Sequence, residues 1–202
     1  MIIDLEPPYL LIKPAVSEEK FYALEGEDCD WEFLDGRLVM SPVSNRHEDL
    51  FRFLLIVLGG FLDERGGGAV RGSRYPMRLD ERWSPEPDVM VVREENLGRM
   101  GPQRLEGPAD LVVEIISAGE LRFEEREKLP RYREARIPEV WLIDPYAESV
   151  RVETLTSDGY QVTTLRDGKL DSTVVPGFWI EVDWLWREPL PSTLACLRQI
   201  LA

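Results

Sequence analysis

The stretch DLVVEIIS, residues 110–117, constrains this chain more than any other. Val112, Val113, Ile115 and Ile116 are apolar and β-branched, the composition of a strand buried in a sheet. Glu114 interrupts them. Alternate residues of a strand share a face, so Glu114 points the same way as Val112 and Ile116. A carboxylate buried there is costly unless a cation neutralises it or it gives up its charge. The chain is therefore expected to set a cation beside Glu114, a metal ion or an arginine.

The flanking segments supply the rest of that sheet. WEFLDGRLVMS, 31–41, has two apolar-rich arms around Asp35-Gly36, the pair a type I′ hairpin turn prefers. SNRHEDLFRFLLIVLGGFLDERGGG predicts a helix, capped by Ser44 or Asn45, with Leu50, Leu54, Leu58 and Phe61 at helical spacing. Gly59-Gly60 weaken that helix and Gly66 to Gly68 end it. Strands are expected at 74–80, 88–92 and 111–117, with a Gly/Pro-bearing loop at about 95–109. A helix then covers the basic stretch 120–136, a buried strand covers 139–144, and a second hairpin turns at Asp158-Gly159. Short helical or irregular segments close the chain. This order predicts a mixed α/β (α+β) domain: a central mixed sheet flanked by helices, with an N-terminal and a C-terminal β-hairpin. One domain is expected over residues 1–202, its core at about 20–186 and the segment 187–202 packed on it.

Two carboxylates open or interrupt the buried strands. Asp88 follows Pro85-Glu86-Pro87 and precedes Val89, and Glu114 lies within the second run. If both project into one site they suit Mg²⁺ or Mn²⁺, hard cations that prefer oxygen donors. Such an ion can activate water and stabilise charge on a phosphodiester. Asp88 alone reads as a strand-entry residue. Lys128 falls on the following helix with Tyr132 one turn further on the same side. It is placed to position water or offset phosphate charge, although a lysine in a charge run ordinarily lies on a solvated helix face. His47, the single histidine, faces inward from the first helix, as a core residue or a peripheral metal ligand. Glu48 beside it complements the helix dipole or joins the same site.

Composition narrows the class of function. The net charge is −14, from 24 basic and 38 acidic residues, which argues against tight non-specific binding to nucleic acid. The first 50 residues hold twelve acidic and four basic side chains, whereas 120–136 holds six basic and five acidic. Any DNA contact is thus expected from Arg122, Arg126 and Arg131 in that segment, helped by Arg71, Arg74 and Arg78. Cys29 and Cys196 form no CxxC, so zinc-knuckle and disulfide frameworks have no support. The chain lacks a basic, apolar leader and an apolar run long enough to span a bilayer, which points to the cytoplasm. The six tryptophans read as packing residues, and no P-loop, GxGxxG, GxSxG or HExxH is present.

Four separated segments together carry a resemblance. WEFLDGRLVMSPVSNRHEDL, PEPDVMVV, PADLVVEIIS and EKLPRYREARIPEVWLIDP, in order across about residues 20–186, resemble the Uma2 family, also called DUF820. These are bacterial endonuclease-like proteins with the restriction-endonuclease-like PD-(D/E)xK fold. The resemblance implies that Asp88 and Glu114 are the acidic metal ligands, with the metal and Glu114 at the edge of the sheet, and that the Ile115 main-chain carbonyl is a further ligand. Ile116 stands where the superfamily pattern has its lysine, so the resemblance moves that role to Lys128 on the following helix. His47 and Glu48 fall on the polar pair opening the family's first helix. The chain departs from the family at Ser117-Ala118-Gly119, in place of Ser-Pro-Ser, and at Glu124, in place of an aspartate. Pro130 requires either a helix that starts near Lys128 or a kink there.

The reading that follows is a metal-dependent endodeoxyribonuclease, with Asp88 and Glu114 as ligands, Lys128 assisting the attacking water, and a homo-oligomer such as a dimer as its assembly. Its rival is a catalytically idle binding or assembly module that has kept the fold. The acidic balance favours the rival, and the intact Asp88, Glu114 and Lys128 set favours the enzyme.

Overall fold

The computed structural model describes residues 11–24, 31–41, 43–72, 74–117 and 123–202. The chain enters with β1 (Leu11–Lys13), α1 (Glu18–Tyr22) and the hairpin β2 (Glu32–Leu34) and β3 (Arg37–Met40), followed by the long helix α2 (Asn45–Arg65). Next come β4 (Gly68–Gly72), β5 (Met77–Arg78), β6 (Trp83–Ser84), β7 (Val89–Arg93), a 3-10 turn, β8 (Leu105–Glu106) and β9 (Leu111–Ile115). A π-helical turn, Glu124–Lys128, runs into α3 (Leu129–Glu134) and then β10 (Glu139–Asp144). The chain closes with β11 (Ser149–Thr156), β12 (Gly159–Leu165), β13 (Lys169–Asp171), β14 (Trp179–Glu181), a second 3-10 turn and α4 (Thr193–Leu201).

The central sheet has six strands in the order β12-β11-β10-β9-β7-β4. Only β9 and β10 run parallel, and the π turn and α3 form the crossover between them. The mixed α/β architecture with a central sheet flanked by helices is therefore the observed one, and the C-terminal hairpin β11–β12 extends that sheet. A smaller sheet, β1-β3-β2-β6, stands beside it.

Strand alternation divides the interior in two. Val89 and Val91 of β7, with Leu111, Val113 and Ile115 of β9, pack toward α2 and the C-terminal segment, in a cluster that includes Phe178, Trp184 and Leu185. Met90, Val92, Val112 and Ile116 face the opposite way, onto Met77, Leu105, Leu129 and Tyr132. Glu114 belongs by alternation to this second face, between Val112 and Ile116.

Local sequence explains several elements directly. Asp35 and Gly36 both take positive φ, 51° and 72°, as a type I′ turn demands. The Ser44 side chain accepts a hydrogen bond from the His47 N–H, capping α2. Gly60 does more than weaken that helix: a Cβ there would lie 2.6 Å from Leu197 Cδ2, so its absence lets α4 approach. The expected strand at 74–80 is replaced by β4 at Gly68–Gly72 and the short β5 at Met77–Arg78. The glycine run ends α2 at Gly66 and re-enters extended structure at once. Gly68 lies so close to the Val92 carbonyl across the sheet that a side chain would not fit. The 95–109 loop also holds more order than expected, a 3-10 turn at Glu94–Arg99 and the strand β8. Among the described residues, no helix is long and apolar enough to cross a membrane.

Candidate active site

Asp88 stands immediately before β7 and Glu114 near the carboxyl end of β9. The antiparallel register pairs Val89 with Val113, so one further step sets Asp88 opposite Glu114, on the same face. The Asp88 carboxylate is fixed there because its Oδ2 accepts a 2.7 Å hydrogen bond from the Ile115 N–H. His47 arrives from the first turn of α2, its Nε2 3.1 Å from Asp88 Oδ1. Glu48 lies on the other side of the imidazole, 3.5 Å from Nδ1, with its side chain more than half exposed.

Glu114 is buried, and its neutralising cation is Lys128, whose Nζ lies 2.9 Å from Oε1. Two expectations change here. β9 is an interior strand of the sheet, with β10 on one side and β7 on the other, so Glu114 does not lie at a sheet edge. Lys128 is not on a solvated helix face either: its side chain is 3% exposed. Its Nζ also lies 3.0 Å from Glu32 Oε1 and 3.3 Å from Glu124 Oε1. An ammonium has three hydrogens to donate, and three carboxylates surround this one. Tyr132 donates its hydroxyl to the same Oε1 of Glu114 at 2.5 Å.

Pro130 accounts for how Lys128 reaches inward. In an unbroken α-helix its ring would run into the carbonyl of residue 126. The chain instead makes the wider π turn over Glu124–Lys128 and begins α3 at Leu129, with Pro130 in the first turn. The helical path does not start at Lys128: Phe123, Lys128 and Leu129 all keep helical dihedrals, and the π turn ahead of Pro130 takes up the irregularity. Glu124 and Lys128, four residues apart on that turn, are both buried and paired to each other.

Electrostatics follow from this crowding. Burial pushes the Glu114 carboxyl up to about 7; Lys128 pulls it down, and the charges on Asp88 and Glu32 push it up further. Burial alone would lower Lys128, but Glu114, Glu124 and Glu32 hold it well above its ordinary range. Burial and the Glu114 charge likewise raise Tyr132.

These groups line one cleft of about 430 Å³. Its wall carries six carboxylates, from Glu32, Glu48, Glu86, Asp88, Glu114 and Glu124, against Lys128, Arg74 and His47. Ile115 and Ser117 complete the floor at the end of β9. Among the described residues, no three His, Cys, Asp or Glu side chains converge closely enough to hold an ion by themselves. Asp88, Glu114, Ile115, Ser117, His47, Glu48 and Lys128 are thus brought together at the cleft, with Tyr132 bonded behind Glu114.

The basic candidates fare differently. Arg131 pairs with Asp80 and Glu134 and stacks over Trp83, and Arg78 pairs with Glu18 and Glu106. The segment 120–136 therefore spends much of its positive charge on the protein's own carboxylates. Arg126 is exposed, as are Arg71 and Arg74, and Arg122 lies outside the described residues. Arg71 is on β4 with its guanidinium near Tyr75, and Arg74 opens on the cleft.

Sequence reasoning missed Glu32. It sits in β2, and its Oε1 accepts from the Glu86 N–H at 3.0 Å as well as meeting Lys128. Its one local signal was a charged residue beside the buried pair Phe33-Leu34; its partners lie 54 residues and more away in the chain.

The protein is thus a mixed-sheet α/β fold with an acidic cleft at the end of an interior strand. The chain belongs to the Uma2 family, described as "Putative restriction endonuclease", whose pattern matches residues 18–183. The fold is similar to the crystal structure of a "putative nuclease belonging to DUF820" from Anabaena variabilis. That match has a TM-score of 0.71 at 15% identity and covers 85% of this chain and 97% of that one. No curated protein matches the chain.

Proposed function

We propose that the cleft is the hydrolytic centre of an endodeoxyribonuclease that works with a divalent cation, Mg²⁺ or Mn²⁺. One observation carries the reading: Asp88 and Glu114 stand opposite each other at the mouth of a cleft whose carboxylates outnumber its cations. The donor set fits a hard ion in type and in charge. Asp88, Glu114 and the Ile115 carbonyl would hold it, with Glu48 within reach on α2. Such an ion supplies an activated water and stabilises charge on the phosphodiester.

The chain's own residues do the positioning. The Ile115 N–H and His47 orient Asp88 from two sides. Lys128 and Tyr132 hold Glu114 by one oxygen. Lys128 also brings positive charge to a phosphate in an otherwise acidic cleft. DNA would approach over Arg74, Arg71 and Arg126, with Arg122 and Arg131 on the same segment as Arg126.

A second reading is favoured by one specific feature. The three carboxylates around Lys128 satisfy its ammonium completely, so no donor is left for water or phosphate, as in an idle nuclease-fold module that binds or assembles. Plasmid cleavage by the purified chain in Mg²⁺ and in Mn²⁺, beside Asp88→Asn, separates the two. Metal-dependent nicking lost in the variant is expected. Equal nicking by both proteins, or none by either, favours the idle module.

A further inference from the structure

The central sheet ends in two different ways. At one margin, β4 has five residues, with a glycine at each end and exposed Arg71 between them. Its Val70 packs under α2 against Gly59. A short, charged, covered strand discourages pairing with another chain. At the opposite margin, β12 runs over Gly159–Leu165, seven residues without a charge or a proline. Among the described residues nothing pairs with its outer edge. Val162, its midpoint, is 48% exposed.

We propose that this edge is an interface for a second copy of the same chain. The two β12 strands would pair antiparallel about a two-fold axis through Val162, joining both six-stranded sheets into one. With Val162 facing itself, Gly159 faces Leu165, Tyr160 faces Thr164 and Gln161 faces Thr163, so the whole strand is used. At both ends of the pair, that register also brings Asp158, in the turn before the strand, within side-chain reach of Arg166 of the partner subunit, whose guanidinium otherwise rests on the exposed Ala147 carbonyl of its own chain. A slip of two residues pairs Asp158 with Thr164 or Gly168 and loses the charge match. Full overlap and charge complementarity thus select one register. The occupant is a second copy, because the edge complements itself. One strand pair buries less than the roughly 1,200 Å² of a stable interface, so the dimer is weak and concentration-dependent.

The experiment is sedimentation of the full chain over a concentration series, for wild type, Val162→Lys, Arg166→Glu and the exchange Asp158→Arg with Arg166→Glu. A melting curve for each confirms that the fold is kept. Wild type should pass from monomer to dimer as concentration rises. Val162→Lys sets two ammonium groups directly opposite and should weaken dimerisation at least about tenfold. Arg166→Glu should weaken it several-fold, and the exchange, which restores opposite charges, should bring it back to within about threefold of wild type. A wild type that stays monomeric throughout overturns the proposal, as does a dimer indifferent to Val162→Lys and Arg166→Glu.

Discussion

Glu114 on β9 and Glu153 on β11 are both buried carboxylates on interior strands of one sheet, and they are neutralised in opposite ways. Glu153 receives two arginines: Arg133 through Nε at 2.6 Å and Nη2 at 2.7 Å, and Arg151 through Nε at 2.9 Å. Two guanidinium groups serve one carboxylate, so cationic charge outnumbers anionic charge there. Around Glu114 the ratio is reversed, with Glu32, Glu114 and Glu124 sharing the single ammonium of Lys128 and Asp88 close by. Glu139, on the strand between, is satisfied by the Trp141 Nε1–H and the Thr173 N–H. A buried carboxylate is therefore not in itself a functional sign. What sets Glu114 apart is an excess of carboxylates that opens on a cleft.

The harshest way to break this contrast is Lys128→Ala. Removing the one ammonium leaves buried carboxylates without a counter-charge, which should cost about 3–5 kcal/mol of stability. Metal-dependent cleavage should fall at least about 100-fold. The buried position overrides the sequence expectation of a solvated helix face for this lysine. Melting curves with and without Mn²⁺, beside a cleavage assay, measure both effects. A normal melting curve would show that Lys128 does not hold the cluster together.

Next in size is a pH effect. Burial first, with the charges on Asp88 and Glu32 adding to it, raises the Glu114 carboxyl to about 7. A metal takes the deprotonated form, so protons compete below that value and apparent Mn²⁺ affinity should drop by up to about tenfold per pH unit from pH 7 to 6. Above about pH 8 it should level off. Without metal the sign is the reverse. A raised carboxyl contributes stability while it is protonated, so the metal-free protein should lose stability as pH rises through about 7. Titrations and melts across that window check both directions, and flat profiles would remove Glu114 from the metal's neighbourhood.

Arg133→Ala sharpens the comparison from the closed side. Glu153 keeps Arg151, and Arg133 is itself partly exposed, so the loss should be about 1–2 kcal/mol. Cleavage should stay within about twofold of wild type. A large loss of activity would mean that the two clusters are not separate in function. Smallest of all, Tyr132→Phe removes one hydrogen bond to Glu114 and should cost about 1 kcal/mol, with cleavage down only several-fold. Unchanged stability and activity would make the Tyr132 hydroxyl incidental.

What could be read in the sequence was local. Asp35-Gly36, the Ser44 cap, the α2 stripe, the run at 139–144 and the Asp158-Gly159 hairpin each carry their signal within a few residues. The contradiction of Glu114 within an apolar strand was local too, and it led to the cleft. Glu32 was not legible, because it lies on the smaller sheet and only the fold brings it to Lys128, whereas Lys128 entered the site through the family resemblance and not as a buried counter-charge. Strand β4 was hidden by its glycines, which read as a stop although close strand approach needs Gly68. The basic look of 120–136 misled for the same long-range reason: Arg131 and Arg133 meet Asp80 and Glu153 only after folding.

If the cleft is the hydrolytic centre proposed, the excess of carboxylates around Glu114 accommodates a metal ion. Calorimetric titration of the purified chain with Mn²⁺, beside Glu114→Gln, tests it most directly. The variant keeps the shape of the side chain and removes its charge. Wild type should bind Mn²⁺ with measurable heat, and Glu114→Gln should weaken that binding by more than about 100-fold, beyond the range of a merely supporting residue. Equal heats from the two proteins, or none from wild type at neutral pH, would contradict the account and leave Lys128 as the only cation this cluster needs.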